Sequence, residues 1–359
     1  MNSAGRQNGF VIAVTLMVML LLELLAAGML LLAIQERSIA NARRDAGNAA
    51  ARAESAIARQ VGSWMETDHF SMRTGEVRID RTDSVTVTIE RLRGDLFLLT
   101  GEAPLQPSAP SSGAARASLL LRAFDAELLL RQLNGALVTS SHTQLLGSTV
   151  VDGIPEHHAC EGPAATAAIA TPFPQDVAIG GAVEIEGQPA VLLDTFPREP
   201  ATWTGGLTFD ELAGLTPRLQ STNITPAPTE IDGRCAISAF GNWGAPLERQ
   251  HPCAGYFPFI PVDGDLVIAG GAGQGFLLVN GNLTIRDGAI FHGLVVAGGT
   301  LVIAGATVNG AVYTRSASPV LVLDGTIRLD PCAIANALFA VRPLRRPLFP
   351  PARMWLPTH

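Results

Sequence analysis

From Phe10 to Ile34 the chain is apolar at every position except Thr15, Glu23 and Gly28. At 1.5 Å per residue this run makes about 37 Å of helix, more than the ~30 Å of hydrocarbon in a bilayer. It also outlasts the apolar core of a removable secretory signal, which is ~7–15 residues. No proline breaks the continuation, "QERSIANARRDAGNAAARAESAIARQVGSWME", which is rich in the helix formers Ala, Arg, Glu and Gln. One helix is therefore predicted over 10–66, spanning a membrane in its first half and forming a stalk in its second. In the stalk, Ile39, Ala42, Ala46, Ala49, Ala53 and Ile57 recur at spacings of three and four, a narrow stripe suited to packing against a neighbour.

Beyond the helix the period changes from that of a helix to that of a strand. "EVRID", "SVTVTIERL" and "DLFLLTG" alternate apolar with polar residues and favour β-branched side chains, so a small antiparallel sheet is predicted within 70–139. Arg93-Gly94-Asp95 reads as the tight turn between two of its strands rather than as an adhesion signal. "EAPLQPSAPSSGAAR" has the composition of a loop, and "ASLLLRAFDAELLLRQLNGALVTSS" fits strands or a short helix.

The region after it repeats. "GDLVIAGG" at Gly264, "GNLTIRDG" at Gly281 and "GTLVIAGA" at Gly299 share the frame Gly-x-Leu-x-Ile, spaced 17 and 18 residues apart. A second frame interleaves at Gly275, Gly293 and Gly310 ("GFLLVNG", "GLVVAGG", "GAVYTRS"), spaced 18 and 17. Two short strands per period, each ended by glycine or asparagine, describe one coil of a β-solenoid whose inward Leu, Ile and Val stack on those of the next. "STVVDG", "GGAVEIEGQPAVLLD" and "LVLDGTIRLD" extend the pattern less regularly, which places a solenoid domain over 140–341. Within it "LTFDELAGLT" reads as a short helix with Thr208 as N-cap and Glu211 completing a capping box. The predicted fold class is α+β, mainly β: a long N-terminal helix, a small antiparallel sheet, and a β-solenoid with helical decoration. An Arg- and Pro-rich tail, 342–359, follows and carries Arg342, Arg345, Arg346 and Arg353.

Composition narrows the functions available. The 359 residues carry a net charge of −7, and all 25 basic residues are arginine. Without lysine there is no phosphate-loop lysine, Schiff base or kinase lysine. The acidic balance argues against a nucleic-acid partner. Cys160, Cys235, Cys253 and Cys332 all follow the apolar helix and form no CxxC pair. An even number in an exported region points to disulfides: Cys235 with Cys253 across a Gly/Pro-rich loop, leaving Cys160 with Cys332. Arg6 and the amino terminus lie before the span, consistent with a short cytoplasmic end and translocation of the rest.

Candidate chemistry is sparse. "PEHHACEG" gathers Glu156, His157, His158, Cys160 and Glu161, but adjacent histidines on a strand face opposite ways and nothing matches helical metal-ligand spacing. No catalytic, cofactor-binding or metal-binding residues are assigned. The charged residues of the repeats (Asp263, Asp265, Arg286, Asp287, Arg315, Asp324, Arg328, Asp330) are read as corner residues and His292 as structural. A polysaccharide-binding or polysaccharide-cleaving surface is the rival reading, with Phe276, Phe291 and Tyr313 as its only repeat aromatics.

The leader "MNSAGRQNG" (1–9), ending in glycine directly before Phe10 and a long apolar helix, resembles the N-termini of type IV pilins and pseudopilins. It is most similar to PilX-type minor pilus assembly proteins, whose stalk carries a segment like "AAARAESAIA" here, Ala49 to Ala58. The resemblance implies processing between Gly9 and Phe10 and contact with other pilin-like subunits and inner-membrane lipid through the helix. It further implies a single-pass inner-membrane protein, bulk periplasmic, serving as a low-copy structural subunit of a pilus or pseudopilus rather than as an enzyme. The glutamate that major pilins carry near the mature N-terminus would fall at Val14; this chain has Glu23 instead, nine residues on, and PilX-type proteins similarly lack the usual one. The glycine-rich pattern from Gly273 to Tyr313 is similar to solenoids attached to such N-termini.

Overall fold

The computed structural model describes residues 8–64, 72–82, 84–93, 96–105, 113–123, 133–155, 165–194, 209–315, 318–341 and 355–356. The chain is α+β and mainly β. A 55-residue helix, α1 (Asn8–Gly62), starts two residues before the expected 10–66 span and stops four short of it, at Gly62. Its apolar first half is exposed along its length, and it is the one helix among the described residues long and apolar enough to cross a membrane.

The lower half of α1 lies on an antiparallel sheet of four consecutive strands, β1 (Val77–Thr82), β2 (Val85–Arg93), β3 (Leu96–Pro104) and β4 (Ala114–Arg122). Alternation decides which face is buried: Phe97, Leu99, Gly101 and Ala103 of β3 point at the helix, with residues between them half exposed. The stripe read from sequence divides here. Ala49, Ala53 and Ile57 are buried against the sheet, while Ile39, Ala42 and Ala46 stay exposed. The approach is close because both sides are small: a Cβ at Gly101 would come within 2.8 Å of the Ala53 carbonyl oxygen. Trp64 closes the end of this core edge-on against Phe97, ring centroids 5.3 Å apart.

Two expected boundaries move. The small sheet ends at Arg122, and Gly135–Val138, placed by sequence in the 70–139 region, instead joins the large sheet through parallel pairing with Ala167–Thr171 and Thr307–Thr314. The 342–359 tail is not separate either, because Trp355–Leu356 pairs antiparallel with β4. The tail arginines, Gly94 and Asp95, and Thr208 with the side chain of Glu211 lie outside the described residues. β2 and β3 do pair, Arg93 opposite Leu96, and the short helix exists as α2 (Phe209–Ala213).

Sixteen of the remaining strands form one sheet, paired in parallel throughout, and Glu230–Ile231 and Arg234–Cys235 make a separate antiparallel pair. Both sequence frames fall in register: Leu266, Leu283 and Leu301 are successive partners, as are Gly275, Gly293 and Gly310. Pairing runs in three ladders. One joins 272–274, 290–292, 307–309, 326–328, 150–152 and 184–186. A second joins 259–262, 276–279, 294–297, 311–314, 137–138, 169–170 and 191–192. The third joins 222–224, 266–269, 283–286, 301–304, 320–323, 143–146 and 177–180.

The order is not that of the chain. The last strands, Val320–Leu323 and Thr326–Arg328, pair with Thr143–Gly147 and Val150–Asp152, so the C-terminal repeat closes on the N-terminal one. Side chains reinforce the seam: the Thr314 hydroxyl donates to Thr139 Oγ1 at 2.9 Å and the Ser148 N–H to Asp324 Oδ1 at 2.8 Å. Helix α3 (Pro331–Ala340) follows at once, with Pro331 in its first turn and the Asp330 carboxylate accepting from the Ala333 N–H at 3.0 Å. It lies against the strands at 272–314. Second-ladder segments such as "FLLV" and "LVVA" are therefore buried on both faces, which is why they read as continuous apolar runs rather than alternating ones.

Candidate functional site

The first ladder carries a polar column on its outer side. Phe291, Val308 and Ile327 point into the core, so by alternation Gln274, His292, Asn309 and Arg328 point out, each the direct partner of the next. Strand spacing sets about 4.8 Å between neighbours in this column. It forms the floor of a groove of about 860 Å³.

One wall is the segment stapled by the Cys235–Cys253 disulfide. Gln274 fixes it to the sheet: buried at 2% exposure, its side-chain amide donates to the carbonyl oxygens of Ala254 (2.7 Å) and Tyr256 (3.0 Å). Trp243 packs edge-on against Phe291, and its carbonyl accepts from the Gln274 backbone N–H at 2.7 Å. Asn242 holds the loop from within, donating to the Ala236 carbonyl at 2.8 Å. Tyr256 donates to the Ile237 carbonyl at 2.9 Å, and burial raises its phenol pKa. Arg249 and Phe257 line the groove from this side.

The opposite wall is α3, contributing Asp330, Asn336 and Phe339. On the floor, Asn309 Nδ2 donates to His292 Nε2 at 3.2 Å, which places the ring proton on Nδ1. Burial lowers the His292 pKa, and the charge of Asp330 opposes that shift without overcoming it. The imidazole is thus neutral at neutral pH. The groove presents amides, a neutral imidazole and guanidinium groups. Among the described residues no cluster of three His, Cys, Asp or Glu side chains is placed to hold a metal.

The residues singled out from sequence fall elsewhere or only partly here. Cys235–Cys253 is bonded as expected. Cys332, on the groove wall, is disulfide-bonded, while its expected partner Cys160 lies outside the described residues, as do Glu156, His157, His158 and Glu161. Gly9 and Phe10 lie in the first turns of α1. Glu23 is exposed in the apolar half of the helix, with no partner among the described residues. Phe276, Phe291 and Tyr313 are buried at 0, 1 and 9% exposure, so they belong to the core and offer no aromatic platform. Asp287 and Asp324 do occupy corners, with φ of 59° and 50°. His292 and Arg328, set aside as structural and corner residues, form the floor together. The signal for His292 was in the second frame, where the residue before each glycine reads Gln, His, Asn; Arg328 lies outside that frame.

No family model and no curated protein matches this chain. Among solved structures, a glycosylated ice-binding protein from an Arctic yeast is similar over 55% of this chain and 91% of its own, at 13% identity and a TM-score of 0.29, a likeness too slight to carry an argument.

Proposed function

We propose that this chain is a low-copy structural subunit of a type IV pilus or type II secretion pseudopilus, acting in assembly or at the tip. The observation that carries this reading is the division of α1. Its first half offers lipid or other helices an apolar surface whose one charged residue is Glu23, and its second half packs small residues onto a five-stranded antiparallel sheet. Anchor and globular support are thus one rigid element, as an assembling fibre subunit needs. The N-terminal motif read from sequence supports processing between Gly9 and Phe10. Glu23 costs a few kcal/mol in lipid, so it takes a polar partner on a neighbouring subunit.

The parallel-sheet region is the head, and we read its three in-register ladders as a β-solenoid. Seven strand levels at about 4.8 Å make it roughly 30 Å long, and a compact body of about 200 residues has a radius of gyration near 17 Å. Such a head projects from a tip or sits sparsely along a fibre, since a shaft subunit repeating every few ångströms has to be slim. The Cys235–Cys253 bridge suits an oxidising compartment, which supports a head in the periplasm or beyond and a chain that crosses the inner membrane once. Deletion of the gene, with a Glu23→Leu replacement beside it, tests the reading. Fewer surface fibres or impaired secretion in both strains supports it; normal fibres and normal secretion in the deletion strain overturn it.

A further inference from the structure

We propose that the groove between the disulfide-stapled loop and α3 binds a short stretch of acidic polysaccharide, a chain of sugars bearing carboxylates. The inference rests on the groove alone and holds whether or not the chain is a pilus subunit. The backbone N–H and C=O groups of the floor strands are already spent in parallel pairing on both sides, so a ligand here is read by side chains and not by strand addition. That disfavours an extended peptide, whose affinity in strand addition comes from its main chain.

The side chains with capacity to spare are hydrogen-bonding ones. Arg249 and Asn336 are exposed on opposite walls and have no partner among the described residues. Asn309 uses its Nδ2 on His292, which leaves its Oδ1 as an acceptor and His292 Nδ1–H as a donor. Donors and acceptors mixed at strand spacing match a row of hydroxyls, each of which can give and take a hydrogen bond. Arg249, exposed and without a partner among the described residues, offers a guanidinium fork that takes a carboxylate through two bonds at once. Phe257 and Phe339, half-buried on either wall, offer apolar surface for the C–H faces of sugar rings.

The test is titration calorimetry on the full chain in detergent micelles, with oligogalacturonate as the probe and a neutral cello-oligosaccharide and polyglutamate of equal length as comparisons. The uronate oligomer should bind saturably, more weakly as salt rises, and the neutral sugar should bind less tightly. Arg249→Ala and Asn336→Ala each lower the affinity about tenfold or more. Both residues are exposed, so an unchanged unfolding temperature shows that the fold persists. No saturable binding of the uronate oligomer, an affinity untouched in the double variant, or equal binding of polyglutamate each overturns the proposal.

Discussion

Gly275, Gly293 and Gly310 stand one above another at φ of 129°, 132° and 150°, in a backbone region that side chains rarely enter. A Cβ at Gly293 would run into the carbonyl oxygen of Gly275 and press on the Ala337 methyl of α3. Gly293→Ala should therefore destabilise the large sheet by about 1–3 kcal/mol, read as a lower midpoint in chemical denaturation. An unchanged midpoint would show that the column tolerates side chains. His292 gives a pH-dependent prediction. Its folded pKa lies below the ordinary value near 6.5, so below that pH the unfolded chain takes up a proton that the folded chain resists. Stability is full above about pH 6.5 and falls as pH drops through the window beneath it. In His292→Gln that part of the fall is absent, so thermal unfolding compared at about pH 7 and pH 5 should show a smaller loss than in the parent; equal losses would contradict the assignment. The glycine column was readable in sequence because its period is short and its residue type is unusual. The polar column beside it lay in the same frame, as the Gln, His and Asn before those glycines, but the groove above it did not, because its walls come from segments outside the repeat.

The stapled loop and the long helix show what an element requires. Cys235 and Cys253 are 18 residues apart, and closing such a loop contributes ~3 kcal/mol in the chain-entropy estimate. Replacing both with Ala should lower stability by about that amount and loosen the groove wall that Gln274 holds, detected as faster amide exchange at Ala254 and Tyr256. Unchanged exchange would mean that the hydrogen bonds and Trp243 hold the wall alone. At α1, Gly101→Val would push the sheet off the Ala53 turn and expose Phe97 and Leu99, a loss visible as protease cleavage within β3. The Ala stripe was legible because small residues at spacings of three and four have few other uses. Its true extent was not, since where the sheet starts along the helix is set by tertiary packing.

At the scale of the whole molecule, the sheet closes between residues that the sequence holds far apart. Val320 meets Thr143 and Ile327 meets Val151, so the strands at 143–152 each lose one of their two neighbours if the chain is cut before 320. Truncation there should leave the 259–314 repeats paired but make 135–193 sensitive to protease; resistance of both parts would contradict the closure. Periodicity could identify the strands but not this order, because a 17- or 18-residue repeat says which residues stack and nothing about which end meets which. Long-range pairing of this kind is also slow to form. The chain joins a 16-stranded parallel sheet to a helix with an exposed apolar half, and the low copy number proposed for it rests on the size of that sheet region. Fibres sheared from the surface, with this chain counted by quantitative mass spectrometry against the major subunit, test it most directly. The chain should be present at far below one copy per major subunit. Its absence from sheared fibres, or a copy number equal to that of the major subunit, would contradict it.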